Sequence, residues 1–194
     1  MEENGVRAIV KDFRANRFFF RNIVGRFLVW RETKAYKKLR GIKGIPTLYR
    51  VIDGLALVME EVSGRNLENL EKEIKLPENF FDALKDLVTS FHRRGLAHCD
   101  LKRAPNILLG NDGLPHIIDW SASISESEFR FPPLNFIYRR FLLDDYMAIM
   151  KLKLRHIPEA VTSEERKRYN HRSGAEKLIR ATRDWLRDIL QKIA

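Results

Sequence analysis

The stretch "GLAHCDLKRAPNILLGNDGLPHIIDW", residues 95–120, limits what this chain can be more than any other. It sets His98 and Asp100, then Asn106, then Asp119 around two short apolar runs, "NILLG" and "HIIDW", joined by the turn residues "NDG". Apolar runs of this length flanking an Asp-Gly turn read as two short strands. Two carboxylates therefore sit at the ends of neighbouring strands, on either side of a carboxamide. A lone His-x-Asp carries little information, and so does a lone Asp after two isoleucines. The combination at this spacing is specific enough to ask for a chemical reason.

The rest of the chain supplies a frame. "VRAIVKDF" reads as a strand, with Val6, Ala8 and Val10 on one face and Ile9 and Lys11 on the other. "RFLVWRETKAYKKLRG" has Leu28, Glu32, Ala35, Tyr36 and Leu39 at helical spacing and ends at Gly41, a C′ position. "TLYRVIDG" and "LALVMEEV" follow as strands joined through Asp-Gly, after which "SGRNL" breaks the pattern.

Helices dominate from there. "PENFFDALKDLVTSFHRRG" carries Phe80, Leu84, Leu87, Val88 and Phe91 on one face, opened by Pro77 and closed by Gly95. "RRFLLDDYMAIMKLKL" reads as a further helix. "SGAEKLIRATRDWLRDILQKI" reads as the last, with Ser173 and Glu176 in capping-box spacing. A β-rich first third before a helical remainder predicts an α+β chain of two lobes, residues 1–62 and 63–194, sharing a cleft. At 194 residues and 44% hydrophobic there is enough apolar material for a real core.

Phosphoryl transfer from a nucleotide explains the chemistry of the opening stretch. It requires that the phosphates be held, their charge neutralised and the acceptor hydroxyl oriented. One Asp can orient or deprotonate the hydroxyl, and a second Asp with an Asn supplies hard oxygen donors for magnesium. A lysine from another strand, itself oriented by a helical carboxylate, can reach the phosphates. The sequence offers Lys11, Glu32, Asp100, Asn106 and Asp119 in that order.

These motifs resemble those of the protein-kinase-like superfamily. "HCDLKRAPNILL" is similar to its catalytic loop, and "HIIDW" to its metal-binding segment, with Trp120 and Ser121 in place of Phe and Gly. "AIVK" resembles the strand ending in the phosphate-binding lysine, "RETKAYKKL" the helix that carries the partner glutamate, and "LVMEEVSG" the hinge beside adenine. The resemblance runs from about residue 6 to about residue 155. It is nearest to the compact bacterial and RIO-like kinases, including lipopolysaccharide-core sugar kinases, in which the asparagine also lies six residues after the first Asp.

The resemblance implies a two-lobed α+β fold that uses ATP and Mg2+. Asp100 would be the catalytic base or hydroxyl-orienting residue, and Lys102 would neutralise charge on the transferred group. Asn106 and Asp119 would hold magnesium. Lys11 would contact the α- and β-phosphates, oriented by Glu32. Main-chain groups near Glu60 and Val62 would bind adenine, with Met59 at the back of its pocket. Asp144 or Asp145, opening "DDYMAIMKLK", would brace the catalytic loop. His98 fixes loop geometry in such motifs, and Cys99 is expected to be packed. Kinase-like domains place two strands and a glycine-rich loop before the lysine. Here ten residues precede Lys11, with Gly5 the sole glycine among them. The expectation is a truncated N-lobe, or a start upstream of Met1.

Two functions follow. One is an ATP–magnesium phosphotransferase acting on a protein Ser/Thr or a lipopolysaccharide-type sugar. The alternative is a pseudokinase, a binding module with weak or no nucleotide turnover. The net charge of +10 and pI near 9.9 fit nucleotide, an anionic membrane surface or a phosphorylated glycolipid. The aromatic, arginine-rich "FRFPPLNFIYRRF" suits a glycolipid or a protein acceptor equally. Nucleic acid is disfavoured, for no helix-turn-helix, zinc or aromatic RNA-binding signature is present. A single cysteine, no secretory signature and no long apolar run predict a cytoplasmic protein, with peripheral contact at the inner face of the membrane as an option.

Overall fold

The first third folds as an antiparallel sheet with one helix against it. The structure is a computed structural model that describes residues 2–3, 6–70, 73–132 and 134–170. Strand β1 (Glu2–Glu3) pairs with β2 (Val6–Asp12), β2 with β4 (Ala56–Glu60), and β4 with β3 (Leu48–Ile52), in the order β1-β2-β4-β3. The β3–β4 turn runs through Asp53 and Gly54, at φ 53° and 65°. Leu55 N–H closes it on the Ile52 carbonyl at 2.9 Å. Positive φ at both central residues matches the twist of the flanking strands, which is why Asp-Gly is the hairpin signal here. The register sets Lys11 opposite Leu57 and Ile9 opposite Met59.

Helix α1 (Arg26–Leu39) is entered through a wide turn of π-helix, Phe20–Gly25, and buries Val29, Glu32, Ala35, Tyr36 and Leu39, with Leu28 half-buried at the edge of that face. A buried glutamate among four apolar side chains is costly unless it has a partner. That partner is Lys11 on the neighbouring strand β2.

The second part is mostly helical. β5 (Gly64–Asn66), the short α2 (Leu67–Leu70) and α3 (Glu78–Arg93) are followed by β6 (Leu96–Ala97), β7 (Ile107–Gly110), β8 (Pro115–Ile117) and β9 (Ile124–Ser125). Helices α4 (Leu134–His156) and α5 (Ser163–Asn170) complete the described chain. β7 lies between β5 and β8, and β6 pairs with β9. Gly64 and Gly110 face each other, and a Cβ on Gly64 would collide with the backbone at Leu109 and Gly110. α3 buries Phe80, Leu84, Leu87, Val88 and Phe91 as its periodicity predicts, with Phe81 as well. Each such side chain contributes about 1.5–3 kcal/mol through burial. One core cluster takes in Val29 and Leu57 from the first part with Leu84, Ile107, Ile117, Trp120 and Leu152 from the second.

The architecture is therefore α+β, a small sheet-bearing N-terminal lobe leading into a mostly helical C-terminal one. Three expectations need correction or fall outside it. "HIIDW" is not a strand to its end: β8 stops at Ile117, Asp119 is left-handed at φ 61°, and Trp120 opens a 3₁₀ turn that carries its ring into the core. Asp144 and Asp145 do not open a helix. Pro132 and Pro133 are the last breakers, so α4 starts at Leu134 and both acids lie within it. The helix expected over 173–193 lies outside the described residues.

Candidate active site

Alternation along β2 turns Lys11 toward α1, and packing of α1 against the 3₁₀ turn at Trp120 brings Glu32 and Asp119 to meet it. Lys11 Nζ donates to Glu32 Oε2 and to Asp119 Oδ1, each at 2.8 Å. Glu32 is 1% exposed, whereas Asp119 is 38% exposed and faces the cleft. Burial opposes the charge on Lys11, but the two carboxylates outweigh it and hold its pKa above the ordinary value. Burial pushes Glu32 up, and the Lys11 ammonium and a backbone hydrogen bond from Trp120 offset this only in part. For Asp119 the balance is reversed. Burial would raise it, but Lys11 and the Ser121 hydroxyl, which donates at 2.7 Å, hold the carboxyl below its usual range.

The strand ends bring the remaining candidates close. The Asn106 side-chain amide donates to the Asp100 carbonyl at 3.0 Å and to Asp100 Oδ2 at 3.4 Å. Arg103 Nε lies 3.5 Å from the same carboxylate oxygen. The Asn106 carbonyl accepts the Ile118 N–H at 3.0 Å, one residue before Asp119. The six-residue spacing is absorbed by the 3₁₀ turn Ala104–Asn106, which folds the asparagine back onto the loop. Lys102 is half-buried in the turn that carries the Arg103 N–H to the Asp100 carbonyl at 3.2 Å.

Met59 is buried on β4, its sulfur accepting the Tyr36 hydroxyl at 3.6 Å. The Glu60 carboxylate accepts the Thr47 N–H at 2.9 Å. Beyond β4 the chain leaves the sheet, and the Val62 N–H makes no hydrogen bond among the described residues. Ile9, two residues before Lys11 on the same face of β2 and opposite Met59, is half-exposed.

Three residues support the loop: Asp145 and His98, which the sequence offered for that role (Asp145 beside Asp144 as an alternative), and Trp120, whose part only the fold shows. Asp145, 1% exposed, accepts the His98 N–H at 2.8 Å and the Cys99 N–H at 3.0 Å, with His92 Nε2 at 3.0 Å. These bonds hold Cys99 at φ 68°, a left-handed conformation that costs about 1–3 kcal/mol and persists only where the surroundings enforce it. Of the two adjacent aspartates, Asp145 braces the loop, while Asp144 pairs with Arg140 at 2.9 Å. No local signal separates them, because the choice depends on the phase of α4. Trp120, fully buried, packs edge-on against Phe91 at 5.0 Å and His98 at 4.6 Å. His98 Nδ1 accepts the Asp100 N–H at 3.3 Å, leaving Nε2 to donate to the Ile118 carbonyl at 3.0 Å. Both ring nitrogens are thus used to tie the Asp100 loop to the segment entering Asp119.

Cys99 takes no part in this chemistry. Burial pushes its thiol well above the ordinary value, so the thiolate is scarce. In the folded protein at about pH 8, a water-soluble disulfide reagent should modify Cys99 only slowly, and promptly after unfolding in urea. Rapid stoichiometric reaction before unfolding would contradict this packing.

No helix among the described residues is long and apolar enough to cross a membrane, and no cluster of three or more His, Cys, Asp or Glu is arranged to hold a metal unaided. No curated protein matches the chain at a significant level. Residues 6–132, about two thirds of the chain, match the family model described as RIO1: RIO domain. The match covers Lys11, Glu32, Asp100, Asn106 and Asp119 together. RIO domains are kinase-like, their members are atypical protein kinases, and they generally use ATP and Mg2+. Sequence match, α+β architecture and the residues meeting at the cleft agree, and the chain belongs to the RIO domain family of protein-kinase-like proteins.

Proposed function

We propose that the protein is an ATP- and Mg2+-dependent phosphotransferase that moves the γ-phosphoryl group to a hydroxyl of a protein Ser/Thr or a lipopolysaccharide-type sugar. The observation that carries this reading is the meeting of Lys11, Glu32 and Asp119 from three separated segments, with Nζ 2.8 Å from both carboxylates. An ion pair that only stabilised the fold would not need a third, half-exposed acid facing the cleft. Perturbed groups gathered in a cleft mark functional sites more often than chance.

In this reading the lobes are residues 1–62 and 63–194. Glu32 holds Lys11 extended, and Lys11 exchanges Asp119 for the α/β-phosphates when nucleotide binds. The donor set suits magnesium, which favours one or two carboxylate-type oxygens and completes its shell with phosphate and water. Asp119 and Asn106 would hold it, and when bound it supplies neutralisation of charge on the β- and γ-phosphates. The backbone at Glu60 and Val62 receives adenine, with Met59 and Ile9 as its apolar walls. Asp100, kept in place by Asn106, orients the acceptor hydroxyl and takes its proton. Lys102 offers positive charge beside the transferred group.

Differential thermal stability tests the reading. Nucleotide at about a hundred times its Kd stabilises by about 2.7 kcal/mol. ATP with Mg2+ should raise the Tm of the wild type, and Asp119→Asn should lose most of the magnesium-dependent part. The absence of any shift in the wild type at millimolar ATP would leave the chain as a pseudokinase.

A further inference from the structure

The helical segment at residues 18–30 leaves an apolar stripe uncovered. Phe19, Ile23, Phe27 and Trp30 follow one another at helical spacing along the π-turn and α1, and each is more than half exposed. Phe18 beside them is as open. Glu32 lies on the opposite side of α1, buried toward Lys11. A contiguous patch of aromatic and branched side chains on a soluble surface marks a contact.

Charge indicates its kind. Residues 13–31 hold five arginines and no Asp or Glu. Arg17, Arg21 and Arg26 make no ion pair among the described residues. A second acid-free segment, residues 129–143, carries Arg130 and Arg139 with the exposed rings of Phe131 and Phe136, while its Arg140 is held by Asp144 at 2.9 Å. The two segments adjoin. Lys34 of α1 reaches Glu128 at 2.7 Å and Arg31 reaches it at 3.5 Å, one residue before the second segment begins. Lys34 and Arg31 also stack over the Trp30 and Phe27 rings, at 5.5 and 5.6 Å.

We propose that the Phe19–Ile23–Phe27–Trp30 face, with segment 129–143 beside it, is a docking surface for an anionic phospholipid bilayer. Aromatic rings sit at the boundary of headgroup and acyl chain, while arginines on the rim meet the lipid phosphates. A second copy of this chain fits less well, since it would set one arginine-rich, acid-free rim against another. The proposal does not depend on phosphoryl transfer, and its test reads binding alone.

The purified full chain is floated with vesicles of phosphatidylcholine alone and of phosphatidylcholine with phosphatidylglycerol. Binding is expected only to the anionic vesicles and should weaken in about 0.5 M NaCl. Replacing Phe19 and Phe27 together by Ser should lower the partition coefficient at least about tenfold without lowering the urea midpoint, as both rings are exposed. Tyr49→Ser with Val51→Ser, exposed positions on β3, should leave partition unchanged. Brominated lipid should quench tryptophan emission less in Trp30→Phe than in the wild type. Failure to bind anionic vesicles overturns the proposal. So does binding that the Phe19/Phe27 pair leaves unaltered, or that the β3 pair reduces equally, because the attraction is then general charge. A sedimentation-equilibrium dimer that the Phe19/Phe27 pair dissolves, with no vesicle binding, assigns the face to a second copy instead.

Discussion

Asp100→Asn should lower the rate of phosphoryl transfer by about 10²–10⁴-fold, the usual contribution of a positioned general base. The substitution keeps the size and one acceptor oxygen of the side chain, so the contact from Asn106 Nδ2 can persist. It removes the ability to take a proton. Lys11, Glu32 and Asp119 are untouched, so magnesium-dependent stabilisation by ATP should survive in this variant. Single-turnover rates with a model acceptor, beside thermal shifts on the same samples, separate the two effects. Wild-type turnover in Asp100→Asn would remove Asp100 from the chemistry. Loss of ATP binding would show that it supports the nucleotide rather than the acceptor.

The second large effect is on stability. Asp145→Ala should cost about 2–5 kcal/mol, because the His98 and Cys99 N–H groups lose their acceptor and each unsatisfied buried donor costs about 1–3 kcal/mol. Cys99 also loses what holds it left-handed. Asn at this position supplies one acceptor oxygen but sets an amide donor against a backbone donor, so it should rescue only in part. Urea unfolding monitored by tryptophan fluorescence in a background with Trp30 and Trp185 replaced by Phe, which leaves the buried Trp120 packed on His98, reads the same region directly. Asp144→Ala, whose carboxylate meets the Arg140 guanidinium, should cost less. Equal losses for the two aspartates would refute the distinction drawn between them.

The strand at Val6–Asp12, the Asp-Gly hairpin and the amphipathic face of α3 all follow from periodicity and turn chemistry within a few residues; the five candidate residues come instead from the resemblance of their motifs to those of kinase-like proteins. Errors fell where local preference yields to packing. Ile118-Asp119-Trp120 has the composition of a strand, but burying the Trp120 indole against Phe91 and His98 curls the chain into a 3₁₀ turn and leaves Asp119 facing the cleft. α4 begins at Leu134, ahead of the arginines at which its apolar pattern becomes clear, so both aspartates lie inside it.

The sequence by itself determined the family and the candidates for the proposed chemistry: two carboxylates, a carboxamide and a lysine with its glutamate, in a fixed order, because those identities and spacings are local properties. The tertiary structure alone decided their use. Lys11 and Asp119 are 108 residues apart yet share a hydrogen bond, and only packing of the sheet against α1, and of α1 against the Trp120 turn, makes that contact. The same packing buries Glu32, selects Asp145 over Asp144 as the brace, and leaves Phe19, Ile23, Phe27 and Trp30 uncovered. Periodicity can say that a face is apolar. Whether anything covers it depends on long-range packing, which no local pattern encodes.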